Sequence, residues 1–206
     1  MNGKNHAIVG AAAGVAVGIA SIASGDIQGA VLSIPSALVG AKAPDMDHHN
    51  TKQGKAFNAF RAMVPIIAVV FILGYIYCWV YKNVRLNPLI VVIPIAVAYA
   101  LRDGTWFWGH RHGTHTLVLP IIFIIGYLCL RVAYPVIGSV ILSLNAGYLS
   151  HLLADICTYD GCPILYPFSK KKVSISSIKS KEEKKCRAVA IVLSVLLIAL
   201  SIILSF

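Results

Sequence analysis

Long apolar runs separated by short polar stretches set the pattern of this chain. Nearly charge-free runs extend from Met63 to Trp79, Leu117 to Leu130, Val136 to Leu153 and Ala188 to Phe206, and a shorter one from Leu86 to Leu101. Two more, Ala7 to Ser24 and Ala30 to Ala43, are rich in Gly and Ala. A spanning helix needs about 20 such residues, with a lower limit near 17. The pattern therefore predicts an all-α, polytopic helical membrane protein with about seven apolar helices, over 7–24, 29–43, 62–81, 86–101, 117–134, 136–156 and 188–206. Several runs fall short of the ideal, which implies tilt or local thinning, and the first two suit a re-entrant hairpin as well as two spans. Lys4 before the first run resembles a signal-peptide start, but no polar cleavage region follows, so the run is read as a helix. Gly10, Gly14 and Gly18 recur every four residues, which predicts a helix face that a neighbour can approach closely.

Composition agrees with the membrane class. Of 206 residues, 58% are hydrophobic and 13% charged, and the mean hydropathy is +0.77, which excludes an ordinary soluble domain. The five cysteines form no CxxC pair. Cys78 and Cys129 lie within apolar runs and read as small buried hydrophobes, whereas Cys157 and Cys162 are minor thiolate-ligand candidates.

Charge adds a direction. If the chain crosses with each run, fifteen of the eighteen Lys and Arg residues fall on the side that holds Met1, against Lys82, Arg85 and Arg131 on the other. The positive-inside rule then places a multi-pass protein in the cell (inner) membrane with its N-terminus cytoplasmic and its C-terminus outside. The net charge of +10 follows from this distribution and from attraction to anionic lipid head groups, with no nucleic-acid partner needed. The same parity brings all seven histidines and Asp45, Asp47, Asp103, Asp155 and Asp160 to the cytoplasmic face, leaving Asp26 opposite.

The chemistry centres on His151 and Asp155. Four residues apart in an apolar run, they emerge from one helix face, a spacing that suits a shared metal ion. An ionisable pair inside such a run is costly unless paired or coordinated. Pro44 is expected to end the second helix and place Asp45, Asp47 and His48 in a polar turn at its mouth. Three histidines, His110, His112 and His115, fall within six residues before the run at Leu117, with His115 the best ligand candidate and Thr114 or Thr116 a candidate helix cap. His6 precedes the first run. Together His6, Asp45, Asp47, His48, His115, His151 and Asp155 form a mixed nitrogen and oxygen set. It suits one or more divalent ions, zinc first with manganese or iron as alternatives, and not calcium, which prefers oxygen alone. Asp45 or Asp47 is the candidate general base or bridging ligand, and His110 and Arg111 are candidates for substrate-phosphate contacts. Ser150 adjoins His151 and points elsewhere on a helix, so no serine triad competes.

These motifs resemble the bacterial and archaeal membrane-bound metal-dependent hydrolases, the family that includes YdjM. The resemblance rests on His6; on Pro44, Asp45, Asp47 and His48; on His110, Arg111, Thr114 and His115; on Gly147, Tyr148, Ser150, His151, Asp155 and Thr158; and on Gly161, Pro163 and Pro167. It covers about residues 1–168 in order. A basic surface segment, 169–187, and a C-terminal transmembrane helix, 188–206, complete a single membrane-embedded domain over 1–206. The family is similar to zinc-dependent phospholipase C, a helical fold that binds metals through H-x-x-x-D pairs. The resemblance thus implies a metal-dependent hydrolase acting on a phosphoester or a lipid-like small molecule. His112 stands where the family often has Gly, and the apolar segments between Arg61 and Arg102 embed this chain more deeply than shorter members. The runner-up reading is a metal-ion or proton transporter, since His and Asp at helix ends also line ion paths. The third is a structural membrane protein whose polar clusters are caps and anchors.

Overall fold

Boundaries between apolar runs become helix ends in the computed structural model, which describes residues 1–47, 63, 65–66, 68–70, 72–77, 79–80, 113–132 and 134–205, with Met46 and Asp47 described by backbone alone. The helices are α1 (Gly3–Ala23), α2 (Ile27–Lys42), α3 (Ala68–Tyr77), α4 (Val118–Leu130), α5 (Pro135–Ile156) and α6 (Glu183–Ser205). Two 3-10 turns, Pro44–Asp47 and Gly113–His115, accompany them. Among the described residues there is no strand, only an isolated bridge between Cys162 and Val173. Among the described residues the all-α class holds, with six helices; the expected helix over 86–101 lies outside them. Met1–Asp45 and His110–Phe206 form one compact unit and Met46–Gly109 another. The first unit contains every one of these helices except α3.

α1, α5 and α6, of 21, 22 and 23 residues, are long and apolar enough to cross a membrane, while α2 and α4, with 16 and 13, are shorter. Local chemistry sets the ends. Asn2 caps α1 by accepting from the Asn5 amide at 3.0 Å. Gly25, with φ +80°, supplies the left-handed residue that turns the chain, and Asp26 caps α2 by accepting from the Gly29 amide at 2.8 Å. α2 stops at Lys42 as expected, but by another route: Ala43 keeps a helical backbone, so Pro44 acts through its missing amide, and the Ala43 N–H closes a tighter turn onto the Gly40 carbonyl at 3.1 Å. Pro135 opens α5 at a position where its missing amide costs nothing.

Between helices in lipid there is no hydrophobic gain to drive association, so close packing of small residues takes over. The Gly10, Gly14 and Gly18 face does pack on α2: a Cβ at Gly14 would lie 2.6 Å from Ile34 Cα, and one at Gly18 2.8 Å from Ser33 Oγ. α2 meets α5 more closely still. A Cβ at Gly147 would fall on the Ala37 carbonyl, and one at Gly40 on that of Leu144. α6 lies against α1, where Ser201 Oγ donates to the Ala16 carbonyl at 2.7 Å and Val9, Ala154 and Ala190 form a fully buried layer. α4 packs on α5 through Leu119 and Phe123 against Tyr148 and Leu152. That contact leaves Cys129 exposed, contrary to the buried position expected of it, because it lies off the packed face of α4; the Cys78 side chain lies outside the described residues. At the other end of the bundle Ser139 Oγ donates to Asp26 Oδ2 at 2.5 Å and joins the start of α2 to α5.

Close approach of backbones makes stability sensitive to a single methyl. Gly147→Ala drives one into the Ala37 backbone and should destabilise the protein by about 1–3 kcal/mol. Gly126→Ala, where nothing lies within 4 Å of the new methyl, should be neutral or slightly stabilising. Thermal unfolding of both variants in detergent decides, and equal midpoints would refute the close-approach account. Asp26 makes stability depend on pH as well. The Ser139 hydroxyl, then the Gly29 amide, hold its carboxyl below the ordinary value against a lesser effect of burial. A carboxyl lowered on folding stabilises above its unfolded pKa, and that stabilisation is lost as pH falls through the folded value. The stability gap between wild type and Asp26→Asn should thus be constant from neutrality to about pH 4 and narrow below it. Unfolding midpoints measured across that range would contradict this if the gap were unchanged in acid.

Candidate metal centre

Two helix ends and two short turns meet around Asp155. His6 comes from the first turns of α1, Asp45 from the 3-10 turn that follows α2, His115 from the turn before α4, and His151 and Asp155 from the last turns of α5. His6, His115, His151 and Asp155 are each at most 2% exposed. Asp45 is the exception, its side chain 32% exposed, so the cluster has one wet edge.

The donor atoms stand at distances that decide between hydrogen bonding and ion binding. His6 Nε2 is 3.3 Å from Asp155 Oδ1; His151 Nε2 and His115 Nε2 are 3.5 and 3.6 Å from Asp155 Oδ2; and His151 Nε2 is 3.8 Å from Asp45 Oδ1. Good charge-assisted hydrogen bonds are shorter, about 2.7–2.9 Å. Ligand atoms about 2.0–2.2 Å from a tetrahedral zinc lie about 3.3–3.6 Å from one another, the spacing of the three histidine contacts to Asp155, with Asp45 slightly farther out. Two donor sets have all their atoms within 4.8 Å of each other: His6, His151 and Asp155, and Asp45, His115 and His151. His151 belongs to both. One nitrogen has one lone pair to give, so the sets describe overlapping positions, and the two oxygens of Asp155 are the groups able to bridge.

The orientation of His151 is settled by packing. Its Nδ1 lies 2.7 Å from the Ala41 carbonyl, one of the last four carbonyls of α2, which have no amide to meet within the helix. A carbonyl can only accept, so Nδ1 carries a proton, and in the neutral ring Nε2 then turns its lone pair to the cluster, the arrangement typical of metal-ligating histidines. Nε2 is buried and has no hydrogen-bond partner among the described residues, and the same holds for His6 Nδ1. The two rings stack with centroids 3.7 Å apart at 12°, and His115 meets His151 edge-on at 5.3 Å. The Met1 amino group also reaches Asp155 Oδ1, at 2.6 Å, leaving Oδ2 toward His115 and His151. Thr158 Oγ1 donates to the Asp155 carbonyl at 2.8 Å and closes the end of α5. α2 and α5 end here while α1 and α4 begin, so two negative dipole ends are offset by two positive ones and the preference for an ion rests on the side chains. An orphaned buried imidazole nitrogen, ligand-like spacings and mixed nitrogen and oxygen chemistry thus all fit a divalent ion.

Five of the seven expected ligands come together: His6, Asp45, His115, His151 and Asp155. Asp47 lies in the same turn as Asp45 with its side chain outside the described residues; His48, His110 and Arg111 lie outside them too, as do His49 and His112. Neither cysteine candidate enters a donor set among the described residues. Burial pushes the Cys157 thiol up, the wrong direction for a thiolate, and Cys162 Sγ points to the Leu152 carbonyl at 3.7 Å. The N-cap position of α4 is Leu117 and carries no side-chain cap, so neither Thr114 nor Thr116 caps the helix as expected; Thr116 Oγ1 accepts from the Val118 amide at 3.3 Å in the turn just before it. The Ala41 carbonyl was invisible in the sequence, because backbone acceptors leave no residue signature. Tyr148 was visible: at three residues before His151 and seven before Asp155, it shares their face.

A family model described as YdjM inner membrane protein matches residues 1–206. The chain belongs to the YdjM inner membrane protein family. The match runs the whole length, beyond the 1–168 over which the motifs carry the resemblance, and with the three long apolar helices it makes this YdjM-family chain a membrane protein. No curated protein and no solved structure matches it.

Beside the cluster, a cavity of about 460 Å³ lies between the three long helices of this YdjM-family chain, lined by Ala13, Ala16 and Ala20 of α1, Leu142 and Leu149 of α5 and Leu200 of α6, among others. Its surface is mostly apolar: of the three serines at its wall, Ser150 and Ser201 turn their hydroxyls back onto the carbonyls of Gly147 and Ala16. Along α1 the buried Val9 layer comes between this cavity and His6.

If the donor set holds an ion, His151→Ala should lower zinc affinity by more than the 10- to 100-fold typical of losing a supporting residue, and Asp155→Ala should do the same. Competition with a chromogenic chelator on detergent-purified protein measures this. Affinities equal to wild type in both variants would place any bound metal elsewhere.

Proposed function

We propose that this chain is a membrane-bound, metal-dependent hydrolase that acts on a phosphoester or lipid-like substrate at the cytoplasmic membrane face. The observation that carries the reading is the convergence of His6, Asp45, His115, His151 and Asp155 at ligand spacing, with a buried His151 Nε2 that has no hydrogen-bond partner among the described residues. Zinc suits the set best, with manganese or iron as alternatives. Such an ion supplies Lewis acidity toward a phosphoryl oxygen and acidifies a water molecule. His6, His115, His151 and Asp155 would hold it in a buried, pre-oriented frame. Asp45 stands at the one wet edge, where its carboxylate can take a proton from incoming water or complete the ligand set, and Asp47 in the same turn is the alternative base. His110 and Arg111, next in sequence to the His115 turn, are the proposed contacts for substrate phosphate. A lipid-like substrate is favoured by the apolar cavity among the three long helices, and the basic segment 169–187 suits a surface of anionic head groups.

The transporter reading has less support, because the donors gather where α1 begins and α2 and α5 end, whereas transporters usually place their sites near the membrane midplane. The deciding experiment is a screen of phosphodiesters and phospholipids with purified protein in detergent, using His151→Ala as the blank. Hydrolysis should depend on zinc or manganese, stop with chelator and fall by about 100-fold or more in the variant. Turnover no higher than the blank on every substrate, with metal uptake into sealed proteoliposomes, would transfer the assignment to a transporter.

A further inference from the structure

Tyr148 precedes His151 by one turn on α5 and is 1% exposed. Its ring packs edge-on against Phe123, with centroids 6.2 Å apart at 72°. Its hydroxyl donates a short hydrogen bond to the Thr114 carbonyl. Thr114 is the residue before His115, and its Oγ1 lies 3.1 Å from His115 Nδ1. The turn that holds them, Gly113–His115, is a single three-residue 3-10 element. The Leu117 amide donates to the Ile164 carbonyl at 3.0 Å and fixes the C-terminal side of the turn. The phenol of Tyr148 fixes it nearer the ligand.

We propose that Tyr148 is a positioning residue of the metal centre, acting through Thr114 to deliver His115 to Asp155. The inference rests on the metal-centre reading. The phenol holds the Thr114 backbone; the Thr114 hydroxyl then accepts the proton of His115 Nδ1, and His115 Nε2 faces Asp155 Oδ2 at 3.6 Å. A buried tyrosine hydroxyl needs some acceptor, and many carbonyls would serve a purely structural role. Here the acceptor belongs to the residue next to a ligand, and the donor shares a helix face with two others, so the contact sets the distance between His115 and the α5 pair.

The test is cobalt binding by detergent-purified protein, read as affinity and as the visible absorption of the bound ion, with thermal unfolding as a separate check on folding. Tyr148→Phe should bind Co²⁺ about 10- to 100-fold more weakly and alter the spectrum. In a His115→Ala background the same substitution should change affinity no further, because the hydroxyl has no ligand left to position. Thr114→Val should weaken binding comparably, and Thr114→Ser should restore it. That pair carries the test should Tyr148→Phe not fold, and equal affinities for the two Thr114 variants would overturn the proposal. So would wild-type affinity in Tyr148→Phe, or a loss of the same size with and without His115, and either would leave the metal centre standing. A wild-type protein that takes up no cobalt, zinc or manganese overturns both readings together.

Discussion

A carboxylate buried among apolar helices governs this structure. Asp155 is 2% exposed near the end of α5, and the cost of burying an unpaired carboxylate remains several kcal/mol even after relaxation. Its surroundings meet that cost from four directions: the Met1 amino group and His6 at the start of α1, His115 from a separate turn, and His151 one turn back on α5. None of these partners is near in sequence except His151, so α1, α5 and the His115 turn must all arrive at one point. Yet the imidazoles stand 3.3–3.6 Å away, too far for strong hydrogen bonds, and among the described residues His151 Nε2 has no such partner. A cation among them satisfies carboxylate and imidazoles at once, which neither the carboxylate nor the rings can do for each other at this spacing.

Much of this was legible in the chain, because membrane helices reveal themselves by length and composition. The runs at 7–24, 29–43, 136–156 and 188–206 became α1, α2, α5 and α6 with ends displaced by a few residues, since caps such as Asn2 and Asp26 lie outside the apolar stretch. The glycine spacing in α1 correctly announced a close neighbour. H-x-x-x-D geometry follows from helical pitch alone, so His151 and Asp155 could be paired without a structure, and His6, Asp45 and His115 joined them through motif and parity. Other features lay beyond the sequence for physical reasons. Which imidazole nitrogen faces the site depends on a backbone carbonyl. Whether Cys129 is covered depends on which face of α4 meets α5. That Pro44 ends α2 through its missing amide, with Ala43 still helical, is a hydrogen-bond detail that a residue preference does not fix.

Helix packing and ligand orientation turn out to be one problem. Gly147 and Gly40 let α5 and α2 approach until backbone touches backbone, since a methyl at either would collide with a carbonyl of the other helix. Beyond that contact α2 runs out, and its terminal carbonyls lose their intrahelical amides. Ala41, next to Gly40, presents such a carbonyl 2.7 Å from His151 Nδ1, which lies one turn after Gly147. The distance between the helices therefore fixes the tautomer of His151 and aims its Nε2. A larger residue at the crossing would move the carbonyl away, and the imidazole would lose the acceptor that tells its two nitrogens apart. This accounts for a feature of the sequence that composition alone left unexplained: the Gly- and Ala-rich α2 leads directly into Pro44 and Asp45. The helix must be thin to bring its last carbonyls to α5, and it must stop there to leave one of them unpaired, with the carboxylate of Asp45 delivered by the next turn. Small residues that otherwise serve only helix association thus become part of the chemistry of the site.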